Sequence, residues 1–136
     1  MEAGAGTLTR MPQGSLDVAV LVVEPSAKSI DVARRASAII AERKIGMMLI
    51  AGNRIREAAD LELIRTSLPD MEVLPVPDDP LIALADRQAR SPIDAATDGP
   101  GVQAIGELAA RLERWSSQAV AVDRLPVVPL AATGLL

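Results

Sequence analysis

The chain has no cysteine and no histidine. Their absence excludes disulfides, zinc ligation by the usual sulfur and nitrogen donors, and Ser-His or Cys-His nucleophilic catalysis. Phenylalanine and tyrosine are missing too, and Trp115 is the one aromatic residue. Single-stranded nucleic acid therefore finds no stacking platform, and a net charge of −4 works against binding to a phosphate backbone. No run approaches the ~18 consecutive apolar residues of a membrane helix, and no basic-then-apolar leader opens the chain. The expectation is a cytoplasmic protein with no membrane partner and no direct nucleic-acid partner. Any chemistry is left to carboxylates, Lys, Arg, hydroxyls and backbone.

What is present suits one domain. The chain has 136 residues, 49% hydrophobic and 24% charged, and an aliphatic, Ala-rich composition fits layers of sheet and helix. Its organising stretch is Leu16 to Ser29, LDVAVLVVEPSAKS. The apolar run to Val23 reads as a strand buried on both faces of a parallel sheet. Glu24-Pro25-Ser26 is then the loop at its carboxyl end, where open α/β sheets place their ligands.

Before it, Met1 to Ser15 reads as loop with at most a helical turn at Thr7 to Met11. After it, Ser29 to Lys44 sets Ile30, Ala33, Ser37 and Ile40 on one helical face, with Ser26 or Ser29 as cap and Gly46 as stop. Met47 to Ala51 is a second buried strand, ending in Gly52-Asn53-Arg54. A helix over Arg56 to Leu68 aligns Ala58, Leu61, Ile64 and Leu68, and Pro69 stops it. Glu72 to Val76 is a third strand, closed by Pro77-Asp78-Asp79-Pro80. A short helix from Leu81 to Arg90, a loop over Ser91 to Gly99, and a helix to about Ser116 complete the pattern. Ser117 to Leu136 shows no periodicity and reads as a poorly ordered tail. The βαβαβα order predicts the α/β class, a parallel sheet with flanking helices.

Because parallel strands run the same way, three strand ends share one edge. A crevice there is the default ligand site. Asn53 is the side chain best suited to a base, since one amide supplies a donor and an acceptor for an adenine edge. It is equally a residue that caps the next helix. Pro77 to Asp79 is either a rigid backbone edge for the same base or a turn. Lys28, Ser26 and Ser29 offer phosphate contacts, against an ordinary reading as cap and solvated surface. Arg34-Arg35, and Asp86 with Arg87 and Arg90, read as solvated faces. No G-x-x-x-x-G-K-[ST] occurs, and no G-x-G-x-x-G lies between a strand and a helix. Gly4-Ala5-Gly6 precedes the first strand, so it is not a phosphate loop of that kind.

Taken in order, MEAGAGTLTR, LDVAVLVVEPSAKSIDVARRA, a strand ending GNR, and LPVPDDPLIALADRQARSPIDA resemble the carboxyl-terminal half of the MinD/ParA-type P-loop ATPases. The likeness is strongest to the CooC-like accessory ATPases of carbon monoxide dehydrogenase maturation. It spans about Met1 to Arg114. The resemblance implies a partial P-loop NTPase fold without its Walker A half, ATP with Mg as the cofactor of the complete protein, and a homodimer or partner protein. It also implies that Asn53 and Arg54 lie at the nucleotide, with Pro77, Asp78 and Asp79 on the other side of the base. Asp78 departs from the residue common at its position in the family. Glu2 and Gly4 would belong to a switch region that senses the γ-phosphate. The family's metal-binding cysteines have no counterpart here, and no catalytic or metal residue is assigned.

On this reading the chain begins at an internal Met of a larger ATPase. Alone it lacks the P-loop, its Lys and the Mg site that stabilise phosphoryl transfer, so it should be inactive. The alternative is a non-catalytic interaction module that pairs with a separately encoded half or partner. A phospho-accepting receiver domain is disfavoured, because the first two strands end in Glu24-Pro25 and Gly52-Asn53 rather than in an acceptor carboxylate at a central strand's end.

Overall fold

A computed structural model describes residues 4–14 and 16–123. Strands β1 (Val18–Val23), β2 (Met47–Ile55) and β3 (Val73–Pro77) form one all-parallel sheet in the order β1-β2-β3. The helices are α1 (Gly4–Arg10), α2 (Ala27–Glu42), α3 (Ala58–Ser67), α4 (Pro80–Arg87), α5 (Pro92–Ala95) and α6 (Pro100–Asp123). The fold is α/β, as the alternating pattern predicts. Among the described residues no helix is long and apolar enough to cross a membrane.

One core forms where α2 and α3 meet the sheet. Val23, Ile50 and Ile64 are fully enclosed there, joined by Ile30, Ala33, Leu68 and Val73. The buried stripe of α2 is the expected Ile30, Ala33, Ser37 and Ile40, with Ala36 added. The Ser37 hydroxyl donates to the Arg34 carbonyl (2.8 Å), which lets a polar side chain sit at a core position. Helix α6 packs along β3. Its Arg111 makes two hydrogen bonds to the Glu72 carboxylate, at 3.1 and 3.0 Å, a fork geometry that fixes the helix on the sheet.

Several local expectations change. The stretch read as a loop from Met1 to Ser15 contains α1. Arg43 donates to the carbonyls of Met11 (2.7 Å) and Thr9, capping the helix end that glycine-rich composition hides. Helix α2 is not stopped by Gly46. It turns at Lys44, which has φ 54, while Gly46 sits in a close fit where a Cβ would meet Asp17 O at 3.3 Å and Trp115 Cζ2 at 3.4 Å. The span from Ser91 to Gly99 holds α5, opened by Pro92. The tail is helical as far as Asp123, since Ser116, Ser117 and Gln118 are exposed and need no apolar stripe; residues 124–136 lie outside the described part.

Lys44 pays a steric cost for its left-handed backbone that glycine avoids. Lys44→Gly is expected to raise stability by about 0.5 to 1 kcal/mol. A urea midpoint unchanged or lowered would show that the turn is relaxed as it stands.

Candidate functional site

The carboxyl ends of β1 and β2 border an open cleft of ≈ 530 Å³ lined by Glu24, Pro25, Ser26, Arg54, Arg56 and Asp60. It lies at the sheet edge where the strand polarity predicts a ligand site. Its β1 side is a closed hydrogen-bond relay: Ser29 N–H donates to Ser26 Oγ (3.2 Å), and Glu24 N–H donates to Ser29 Oγ (2.9 Å). Ser26 is thus the cap of α2. Both hydroxyls serve the loop, and Lys28 is exposed.

The β2 side departs most from expectation. Strand β2 does not end at Ala51; it continues through Gly52, Asn53 and Arg54 to Ile55. Its ladder with β3 slips between Gly52 and Ile55, and Arg54 has φ 56. This is a bulge with a non-glycine residue in left-handed backbone, a form of strain that concentrates at functional sites. Gly52 fits closely beneath it: an added Cβ would lie 3.3 Å from Val73 Cγ1 and 3.4 Å from Ile64 Cδ1, so the Val73 side chain would have to give by a few tenths of an ångström.

Asn53 sits half-buried in this bulge. It does not cap α3. The N-cap is Glu57, which forms a capping box with Asp60, whose Oδ2 accepts from the N–H groups of Arg56 (2.8 Å) and Glu57 (3.3 Å). The Asn53 side-chain amide has no hydrogen bond among the described residues. Its donor and acceptor are therefore uncommitted.

Arg54 is exposed and stands 3.6 Å from Glu24. Arg56 reaches across to β3's loop and binds Asp78 at 2.8 Å. The hydrogen bond to Asp78, then its charge, hold the Arg56 guanidinium further into its cationic form. Pro77 closes β3, and its neighbour Asp78 joins the cleft through Arg56. Asp79 is committed elsewhere. It is buried; Oδ1 accepts from Leu81 N–H (2.9 Å), capping α4, and Oδ2 accepts from Gly101 N–H (3.0 Å) at the start of α6. Gly101 can approach only because it lacks a Cβ, which would stand 2.8 Å from that of Asp79.

No protein-family model and no curated protein sequence matches this chain.

The structure thus brings Asn53, Arg54 and Asp78 to one edge and assigns Asp79 to joining two helices. Gly4 opens α1, whose last turn is bound by Arg43 at the end of α2 remote from the cleft; Glu2 lies outside the described residues. Arg56 and Asp60 were missed as site residues because they were read only as the start of a helix. Their sign alternation around the helix entrance was the available signal. Arg34, Asp86, Arg87 and Arg90 are exposed, and Arg35 pairs with Asp31 one turn away (2.7 Å). Among the described residues no group of three or more acidic, His or Cys side chains is placed to hold a metal. The cleft is lined by two guanidiniums, Arg54 and Arg56, and two carboxylates, Glu24 and Asp60, and Asn53 adjoins it in β2 without being one of its lining residues.

Proposed function

We propose that this chain is a nucleotide-binding α/β module that takes the adenine side of ATP, as the carboxyl-terminal half of a MinD/ParA-type P-loop ATPase would. The observation that carries the reading is the uncommitted Asn53 amide, held by the bulge at the ligand edge of a parallel sheet. A half-buried amide without a partner loses hydrogen bonds that a purine edge restores. Arg54 beside it supplies a cation for the nucleotide's anionic part.

Binding and turnover separate in this proposal. The sequence holds no P-loop to cradle phosphates or place Mg, so the chain alone binds weakly and does not hydrolyse ATP. Hydrolysis, and a homodimer or partner protein closing over the nucleotide, belong to the complete assembly.

Titration of the labelled chain by adenosine and ATP, followed by amide chemical shifts, tests this. Shifts are expected around Gly52 to Arg56, and Asn53→Ala should weaken adenosine binding about tenfold, the range of one paired amide contact. Guanosine binding as well as adenosine, or no shift at millimolar adenosine, would overturn the assignment. Mg-dependent ATP turnover above a buffer blank would overturn the claim of inactivity.

A further inference from the structure

The arginines of this chain use their guanidinium donors in different ways. Arg111 gives both Nε and Nη2 to Glu72 (3.1 and 3.0 Å), and Arg43 gives both η nitrogens to the carbonyls of Thr9 and Met11. Each of these holds one element on another. Arg56 instead bonds Asp78 through Nε alone (2.8 Å), and among the described residues its two η nitrogens have no hydrogen-bond partner. It is Arg56, and not Asp78, that lines the cleft. An arginine tied at Nε has its planar head oriented and still presents four N–H donors at the η end. A carboxylate serving only to neutralise the cation would gain more from the two-point fork that Glu72 makes. Arg54 lines the same cleft at 3.6 Å from Glu24, beyond hydrogen-bond range, so its donors are uncommitted as well. Glu24 and Asp60 balance the two guanidiniums in charge. Net charge therefore draws no anion here, and one can be held only by directed N–H groups.

We infer that Arg56 binds a phosphate group of the nucleotide through its η nitrogens, beside Arg54, and that Asp78 is the positioning residue that aims it. The inference rests on the reading of this edge as a nucleotide site, and it names what tells a nucleotide from a nucleoside there. A guanidinium suits the task because its parallel N–H bonds match two phosphate oxygens. The Arg56–Asp78 pair is exposed on both sides, 75% and 38%, so it adds little to stability and its loss leaves the fold intact. Its contribution is order. A free arginine side chain loses rotamer freedom when it takes an anion, and a tie at Nε removes part of that loss in advance. An anion at the η end lies across the guanidinium from Asp78, with solvent around both, so their repulsion is small.

Calorimetric titration of the full 136-residue chain with adenosine, ATP and inorganic pyrophosphate tests this, with the arginine Nε–Hε signals of the labelled chain as a second readout. ATP should bind about fivefold more tightly than adenosine, the upper range for one exposed ion contact. ATP and pyrophosphate should both move the Arg56 signal. Arg56→Gln and Asp78→Ala should each lower the ATP-to-adenosine affinity ratio about threefold. Asp78→Asn, whose amide oxygen still accepts from Nε, should keep most of the ratio. Arg65→Gln removes the same charge from the exposed side of α3 and should leave it unchanged. Equal changes in the two Asp78 variants, in either direction, would overturn the positioning role, and a rise in both would make Asp78 a competitor of the phosphate. Adenosine binding with ATP no tighter would sink the phosphate contact and leave the adenine reading standing. A pyrophosphate response at Arg56 without adenosine binding would keep the contact and sink the adenine reading. No response to any of the three would sink both.

Discussion

Asp79→Ala is expected to lower folding stability by about 3 kcal/mol, from the loss of two hydrogen bonds to a charged group at about 1.5 kcal/mol each. The carboxylate is 6% exposed and accepts from Leu81 and Gly101, each at the start of a different helix. Removing it leaves two buried N–H groups unpaired and opens a gap beside Gly99 and Gly101, which approach it too closely to tolerate a Cβ. Against a typical domain stability of about 5 to 15 kcal/mol this is a large loss, and the urea midpoint should fall by about 1 to 2 M. Asp79→Asn keeps one acceptor and should lose about half as much. Adenosine affinity should be unchanged wherever the variants remain folded. A variant with undiminished stability and abolished nucleotide binding would return Asp79 to the ligand.

The second large effect is expected at Ile64. It is fully buried, it belongs to the cluster with Val23, Ile50 and Val73, and its Cδ1 lies beneath Gly52. Ile64→Ala deletes methyl groups that strand and helix cannot collapse to replace, so the loss should be about 3 to 4 kcal/mol. Ile64→Val should cost about 1 kcal/mol. Chemical denaturation of both checks the ratio. Equal losses would mean that the site collapses and that Gly52 has no rigid floor. A rigid floor also predicts that amide shifts near Asn53 change more in the Ala variant than in the Val variant.

The parallel α/β architecture was legible because its signals are local and strong. VAVLVV and MMLIA are aliphatic runs of strand length, and Ile30, Ala33, Ser37 and Ile40 repeat at helical spacing, but the expected burial of the first strand on both faces is not met: only Ala19 and Val23 of β1 are buried, and Val22 is 65% exposed. The position of the cleft followed from strand direction alone. The bulge did not, because Gly52-Asn53-Arg54 reads as turn chemistry, and only pairing with β3 holds it as strand. Asp79 was ambiguous for a similar reason: its capping of α4 is announced by Pro80, while its bond to Gly101 joins residues far apart in the chain. Helix α1 was legible only as a turn at Thr7 to Met11, because its support, Arg43, comes from the end of another helix. The proposed likeness to a P-loop ATPase comes from motif order in the sequence alone, and the geometry does not test it.

The position of Trp115 has a practical consequence. It packs by Gly46, beyond the amino end of β2, while Gly101 at the other end of the same helix is bonded to Asp79. Along a straight helix those residues are roughly 20 Å apart. The chain's single strong fluorophore is therefore an optical probe of the seating of α6 and is blind to direct ligand contact. An emission change on adding nucleotide would report a shift of that helix, and a silent signal would not count against binding.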